Sequence, residues 1–167
     1  ASLRDPKQDA VVKLGDFGLA KDGTEGPSNA TTQCGTPDYM APEVLAKRPA
    51  GFKADVWALG ILMHELLCGV VPFKAAEGEP MREYVHRVHA GVPKHAEYWQ
   101  SLRWRHVSPQ AIELLQRMLS VSTQERPTMA EVLNHPWMRA EAGLLRGKKS
   151  GSPVLAADLR PCPALVL

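Results

Sequence analysis

"KADVWALGILMHELLC", residues 53–68, is the stretch that decides what kind of fold this chain can take. Apolar residues fall on nearly every face at a period of 3.6, which predicts a buried helix. Gly69 can end that helix with a positive φ, and Pro72 prevents its resumption. Downstream, Met81, Tyr84, Val85 and Val88 follow i, i+3, i+4, i+7 spacing and predict an amphipathic helix. Residues 91–107 are aromatic and irregular, with Tyr98, Trp99 and Trp104. Ser108 reads as an N-cap with Pro109 at the first helical position, and Ala111, Leu114, Leu115 and Met118 supply the buried stripe of that helix. Thr128 to Glu131, "TMAE", fits a capping box. Upstream, "AVVKL" at 10–14 is rich in β-branched residues and predicts a strand ending at Gly15, and 19–41 is a long loop of Gly, Pro, Ser, Asn and Thr. The fold expected is therefore mainly α with a short β segment, followed by a mobile tail over 141–167.

Composition agrees with one domain. The chain has 167 residues, 44% hydrophobic and 23% charged, which suits a sizeable core and not wholesale disorder. A net charge of +2, scattered along the chain, gives no reason to expect nucleic acid as a partner. No apolar run is long enough to span a bilayer, so no membrane partner is expected either. The N-terminus "ASLRDPKQ" has no signal-peptide pattern. Cys34, Cys68 and Cys162 lie far apart with no paired spacing and read as thiols in a reducing compartment. The expected location is intracellular and cytoplasmic, with the nucleus left open.

Short motifs recur in a fixed order. "DFG" at 16–18 is followed by "GTPDYMAPE" at 35–43, "DVWALG" at 55–60, "PF" at 72–73, "ERPT" at 125–128 and "HPW" at 135–137. Together they resemble the large, C-terminal lobe of eukaryotic protein kinases. "GTPDYMAPE" favours the serine/threonine branch, and "RMLSVSTQERPTMAEVLNHPW" is similar to the calcium/calmodulin-dependent kinase group. The resemblance covers 1–140, which is then a partial kinase domain running from the DFG motif to the end of the large lobe.

The resemblance implies transfer of the γ-phosphate of ATP to Ser or Thr of protein substrates, with ATP and Mg²⁺ as cofactors. Asp16 becomes the Mg²⁺ ligand, since a carboxylate is a suitable hard ligand for that ion. Phe17 would pack inward and set where Asp16 points, and Gly18 would let the backbone turn. Residues 19–41 become the activation segment, ordered by phosphorylation. Thr32, four residues before Thr36, is the expected phosphorylation site, and Lys21 is a candidate partner for its phosphate. An upstream activating kinase follows as a partner. Thr36 would contact the catalytic machinery, and "PDYMAPE" would form the platform that holds the substrate peptide. Glu43 and Arg126 would form a buried ion pair tying the segment to the helical core. Asp55 would accept backbone N–H bonds at the start of its helix and brace the catalytic loop. Trp57, Trp137 and the apolar set of 59–67 would be core. The six histidines carry no metal-ligand spacing and receive no catalytic role.

Other family motifs do not occur in these residues: a Gly-rich loop, a Val-Ala-Ile-Lys strand and a His-Arg-Asp catalytic loop with its Asn. By the family's spacing that loop would end at or just before Ala1, so the sequence is expected to be truncated, with the small lobe absent. These residues alone are then expected to be inactive. A pseudokinase, or a truncated lobe acting as a binding module, is the alternative. "RAEAGLLRGKK" at 139–149 is basic but short, and gives weak grounds for a calmodulin-binding helix.

Overall fold

The computed structural model describes residues 13–15, 18 and 36–140. Among them the regular elements are helical. A 3₁₀ turn, Pro37–Tyr39, leads into α1 (Pro42–Leu45). Then come α2 (Lys53–Cys68), α3 (Met81–Ala90), α4 (Ala96–Trp99), α5 (Pro109–Met118) and α6 (Met129–Asn134). Residues 136–140 form one more helical turn.

α2 is the organising element, packed on α5 and on the 3₁₀ turn, while α1 packs on α3. It ends where the sequence says it should: Gly69 takes φ 79° and donates its N–H to Glu65 O. The close approach of α2 to α5 depends on Gly60. A Cβ there would meet Leu119 Cδ2 at 2.9 Å and Met118 Cβ at 3.2 Å. α5 opens on Ser108, whose side chain accepts from Ala111 N. α6 opens on a complete capping box: Thr128 N donates to Glu131 Oε2 at 2.7 Å and Glu131 N to Thr128 Oγ1 at 3.3 Å. Those bonds from Thr128 hold the Glu131 carboxyl below its usual value.

The main core gathers Leu45, Trp57, Ile61, Phe73, Tyr84, Val88, Trp99, Trp104 and Leu115 around α2. A second cluster, Val56, Leu114, Met118 and Val132, joins α2 to α5 and α6. The irregular stretch 91–107 contains α4 and folds its aromatic rings together. Trp99 and Trp104 lie 4.8 Å apart between centroids, and Trp99 Nε1 donates to Pro93 O at 2.7 Å. His64 is the buried polar centre of this cluster. Its Nδ1 lies 2.8 Å from Val70 O and its Nε2 2.8 Å from the Tyr98 hydroxyl. A carbonyl can only accept, so Nδ1 carries the proton and Nε2 accepts from Tyr98. Burial holds His64 below the usual histidine pKa and pushes Tyr98 up to about 12.

Two expectations are corrected. α2 is not buried on all sides: Leu59, Leu62 and Leu66 are 39%, 42% and 59% exposed, because no described element covers that face. Met81 likewise stands at the exposed edge of the α3 stripe, whose buried members are Tyr84 and Val88. Of the strand expected over 10–14 only Lys13 and Leu14 are described; both are exposed and carry no regular structure. Residues 10–12 and the tail beyond 140 lie outside the described residues.

Candidate functional site

The segment Thr36–Ala41 carries little internal support. Thr36 is exposed and extended, with φ −74° and ψ 122°, and makes no side-chain cap on the 3₁₀ turn. Pro37 starts that turn because its fixed φ suits a first helical position. Two backbone bonds, Tyr39 N to Thr36 O at 3.2 Å and Met40 N to Pro37 O at 3.0 Å, are all that close it.

Its position is set from outside by three side-chain bonds. The Tyr84 hydroxyl of α3 donates to Pro37 O at 2.9 Å. Asp38 Oδ1 accepts from Ala75 N at 3.0 Å. The Tyr39 hydroxyl donates to Glu65 Oε2 of α2 at 2.7 Å. The carboxylate acceptor raises the Tyr39 pKa, since losing the phenol proton would put two anions together. Tyr84 is pushed to about 12, first by burial and then by the charge of Asp38. Both phenols stay protonated donors at neutral pH.

Just after this segment comes its deepest anchor. Glu43 and Arg126 are both buried, 7% and 0% exposed. Arg126 Nη1 reaches Glu43 Oε1 at 2.7 Å and Nη2 reaches Oε2 at 3.0 Å, a two-pronged pair between residues 83 apart. Two further donors reach Ser120 O through Nε at 3.0 Å and Lys53 O through Nη1 at 2.8 Å. The guanidinium also lies 5.2 Å from the centroid of the Trp57 ring. Desolvating two charges is expensive, and bonding of four of the five guanidinium N–H groups helps make the pair tolerable.

Other candidate residues are more scattered. Gly18 is described and exposed, while Asp16, Phe17, Lys21 and Thr32 lie outside the described residues. Asp55 sits in the first turn of α2, but it is exposed and no side chain caps that helix, so the expected bonds to its backbone N–H groups are not formed. The N-cap position is held by Phe52 in a helical conformation, which leaves no Asx-type geometry for a carboxylate to use. Among the described residues no group of His, Cys, Asp and Glu could hold a metal ion. They therefore do not form an ATP–Mg²⁺ site by themselves. A cavity of about 620 Å³ between the end of α3 and α5, walled by Lys94, Trp99 and Arg117 among others, shares no residue with the Thr36–Ala41 segment. No described helix is long and apolar enough to cross a membrane.

Sequence reasoning placed Tyr84 in a core stripe and missed its hydroxyl bond. A tyrosine on the buried stripe, where phenylalanine would fill the same space, is the available signal. Glu65, Glu79 and Arg87 were also missed. Arg87 bonds Glu79 through Nε at 2.9 Å and Nη2 at 2.7 Å, and its Nη2 also donates to Lys74 O at 3.0 Å. Glu79 is held below its usual pKa chiefly by that guanidinium.

Comparison with known proteins gives this arrangement its family. The protein kinase domain family matches residues 3–138. The mouse serine/threonine-protein kinase DCLK2 is 41% identical over 132 residues, covering 78% of this chain and 16% of that protein. The type II alpha chain of a Drosophila melanogaster calcium/calmodulin-dependent protein kinase is 40% identical over 130 residues, 77% of this chain and 23% of its own length. A calcium/calmodulin-dependent protein kinase type 1 from Macrobrachium nipponense is 34% identical over 137 residues, 82% and 37% respectively. The chain thus spans well under half of the relatives it matches, and within that span it belongs to the protein kinase family.

Proposed function

We propose that this chain is the large-lobe part of an ATP-dependent protein serine/threonine kinase, and that Thr36–Glu43 is the platform on which its protein substrate is held. One observation carries the reading: a weakly self-supported segment, exposed at Thr36 and half-buried over 37–40, is fixed at one end by the buried Glu43–Arg126 pair and along its length by Tyr84, Ala75 N and Glu65. A loop held so firmly with its outer edge open suits docking of an extended peptide, because positioning is most of what catalysis of phosphoryl transfer requires of a protein.

In this reading Thr36 meets the phosphoacceptor side of the site. Asp16 supplies a carboxylate to Mg²⁺ on the ATP phosphates, with Phe17 and Gly18 setting its approach. Thr32 is the regulatory phosphorylation site, acted on by an upstream kinase, and Lys21 pairs with its phosphate. Asp55 faces the catalytic loop of the complete domain. Bound Mg²⁺ would neutralise phosphate oxygens, whereas the described residues act on the protein substrate, holding it still and in register. The basic stretch 139–149 is where calmodulin would act, and from residue 141 onward it lies outside the described residues.

The test is transfer of radiolabelled γ-phosphate by the full-length parent protein to a panel of serine and threonine peptides. Turnover that falls by three orders of magnitude or more in Asp16→Ala is expected, on the scale of losing a key electrostatic group. The 167-residue chain alone is expected to give none. A parent protein that binds peptides yet shows no turnover above its Asp16→Ala variant would replace the enzyme with a binding module.

A further inference from the structure

We infer that Tyr84 is a positioning residue for the protein substrate, acting through the bond from its hydroxyl to the carbonyl of Pro37. The inference rests on the reading of Thr36–Glu43 as the substrate platform and names which helix sets that platform's place.

Tyr84 is 1% exposed, so its ring is a core element and a phenylalanine would serve the packing equally well. The hydroxyl is what calls for an account, since a buried hydroxyl is costly without a partner. Its partner lies 47 residues away in sequence, on a segment with little internal support.

The donor is itself held in place. Arg87, one turn along α3, lies over the Tyr84 ring at 5.5 Å from its centroid. Its guanidinium is tied to Glu79 and to Lys74 O, and Glu79 Oε2 accepts from Ala76 N at 3.0 Å. The neighbouring Ala75 N is the group that reaches Asp38. Pro37 and Asp38, adjacent residues of the turn, are thus gripped by two groups of one braced unit, residues 74–87. A shift of α3 would move both contacts together and carry the turn with it. Interactions of this kind act on substrate register, and a misplacement of about 1 Å is enough to lower activity by about a hundredfold.

The experiment uses the full-length parent protein and its Tyr84→Phe variant, with a serine-containing peptide chosen from an array for retention by the wild type. Peptide Kd is measured by fluorescence anisotropy without nucleotide. The KM values for peptide and for ATP are measured separately, and thermal midpoints are recorded for both proteins. Loss of one hydrogen bond predicts a rise of about tenfold in peptide Kd and KM. The KM for ATP should stay within about twofold. Unchanged peptide Kd in Tyr84→Phe overturns the inference. So does a parallel rise in both KM values together with a lowered thermal midpoint, which marks general loosening. If the wild type binds peptide without turnover and Tyr84→Phe weakens that binding, the positioning role stands and the kinase reading falls. If no peptide is retained at all, both fall.

Discussion

The two faces of α2 are equally apolar in sequence and end in opposite environments. One carries Val56, Trp57, Gly60, Ile61 and His64, all buried against α5, the platform and the aromatic cluster. The other carries Leu59, Leu62 and Leu66, all open by more than a third. Hydrophobicity says that a side chain gains by leaving water, about 25 cal/mol for each Å² covered, but not what covers it. What separates the faces is directional chemistry. The buried face meets groups that must be matched one to one: a guanidinium, an imidazole, a phenol and a helix approaching a glycine. Beyond Asp55 in the first turn, the open face has only leucines, which specify no partner.

If that distinction is right, the largest damage comes from breaking a matched group on the buried side. Arg126→Ala removes the cation from a site where Glu43 has little water, and also frees Ser120 O and Lys53 O. The expected loss is about 3–5 kcal/mol of folding free energy. Glu43→Ala should cost nearly as much, and the double variant less than the sum, since the second removal relieves an unpaired buried charge. Urea unfolding of the four proteins, followed by tryptophan fluorescence, measures this coupling. Additive losses would mean that the two charges are solvated independently. Arg126→Lys should recover only part of the loss, because an ammonium cannot present two parallel N–H groups to one carboxylate.

Much of this could be seen before the structure, and the reasons differ by residue. Caps at Ser108 and Thr128, and the stop at Gly69, follow from local backbone chemistry and stand where the sequence put them. The Glu43–Arg126 contact joins residues 83 apart, a separation that no local rule reaches; the motif resemblance alone suggested it. Asp55 shows the limit of local reading, since an acidic residue in a first turn caps only if the preceding backbone is extended, and Phe52 is not. The bonds of Tyr84 and His64 were illegible because a hydroxyl or ring nitrogen in a stripe looks the same whether or not a partner waits across the core. The open face of α2 could not be foretold, because a periodic pattern reports apolarity and not the neighbour.

A milder way to strain the buried face is acid. His64 is neutral in the folded chain and sits below the ordinary histidine value because burial penalises its charge. Above about pH 6.5, the unfolded value, folded and unfolded chains are both neutral there and stability does not depend on this group. Below it the unfolded chain takes up a proton that the folded chain resists, so stability falls with pH, by at most about 1.4 kcal/mol per pH unit. Denaturation midpoints of wild type and Tyr98→Phe at pH 7.5 and 5.5 test this. Tyr98→Phe removes the donor to Nε2, leaving that nitrogen ready to take a proton, and should lower the stability at pH 7.5 while flattening the pH dependence. An equal slope in both proteins would mean that other groups carry the acid sensitivity.

The smallest effect is expected from the most hydrophobic change. Leu59→Gln, Leu62→Gln and Leu66→Gln each alter a large apolar side chain in the middle of the central helix, and an apolar count would rank them with core mutations. Their exposure argues otherwise. A side chain that keeps between 39% and 59% of its surface in water has much less burial to lose than the fully buried Ile61, and glutamine is nearly as good a helix former as leucine. Each substitution in this chain should shift stability by no more than about 0.5 kcal/mol, the range of ordinary surface changes. Ile61→Ala, on the opposite face and fully buried, should cost about 2–5 kcal/mol. The pair of values is the informative quantity, because helix, solvent and neighbours in sequence are shared and only the partner differs. If the leucine variants proved as costly as Ile61→Ala, the open face would have to be covered in solution, and the contrast between the two faces of α2 would be lost.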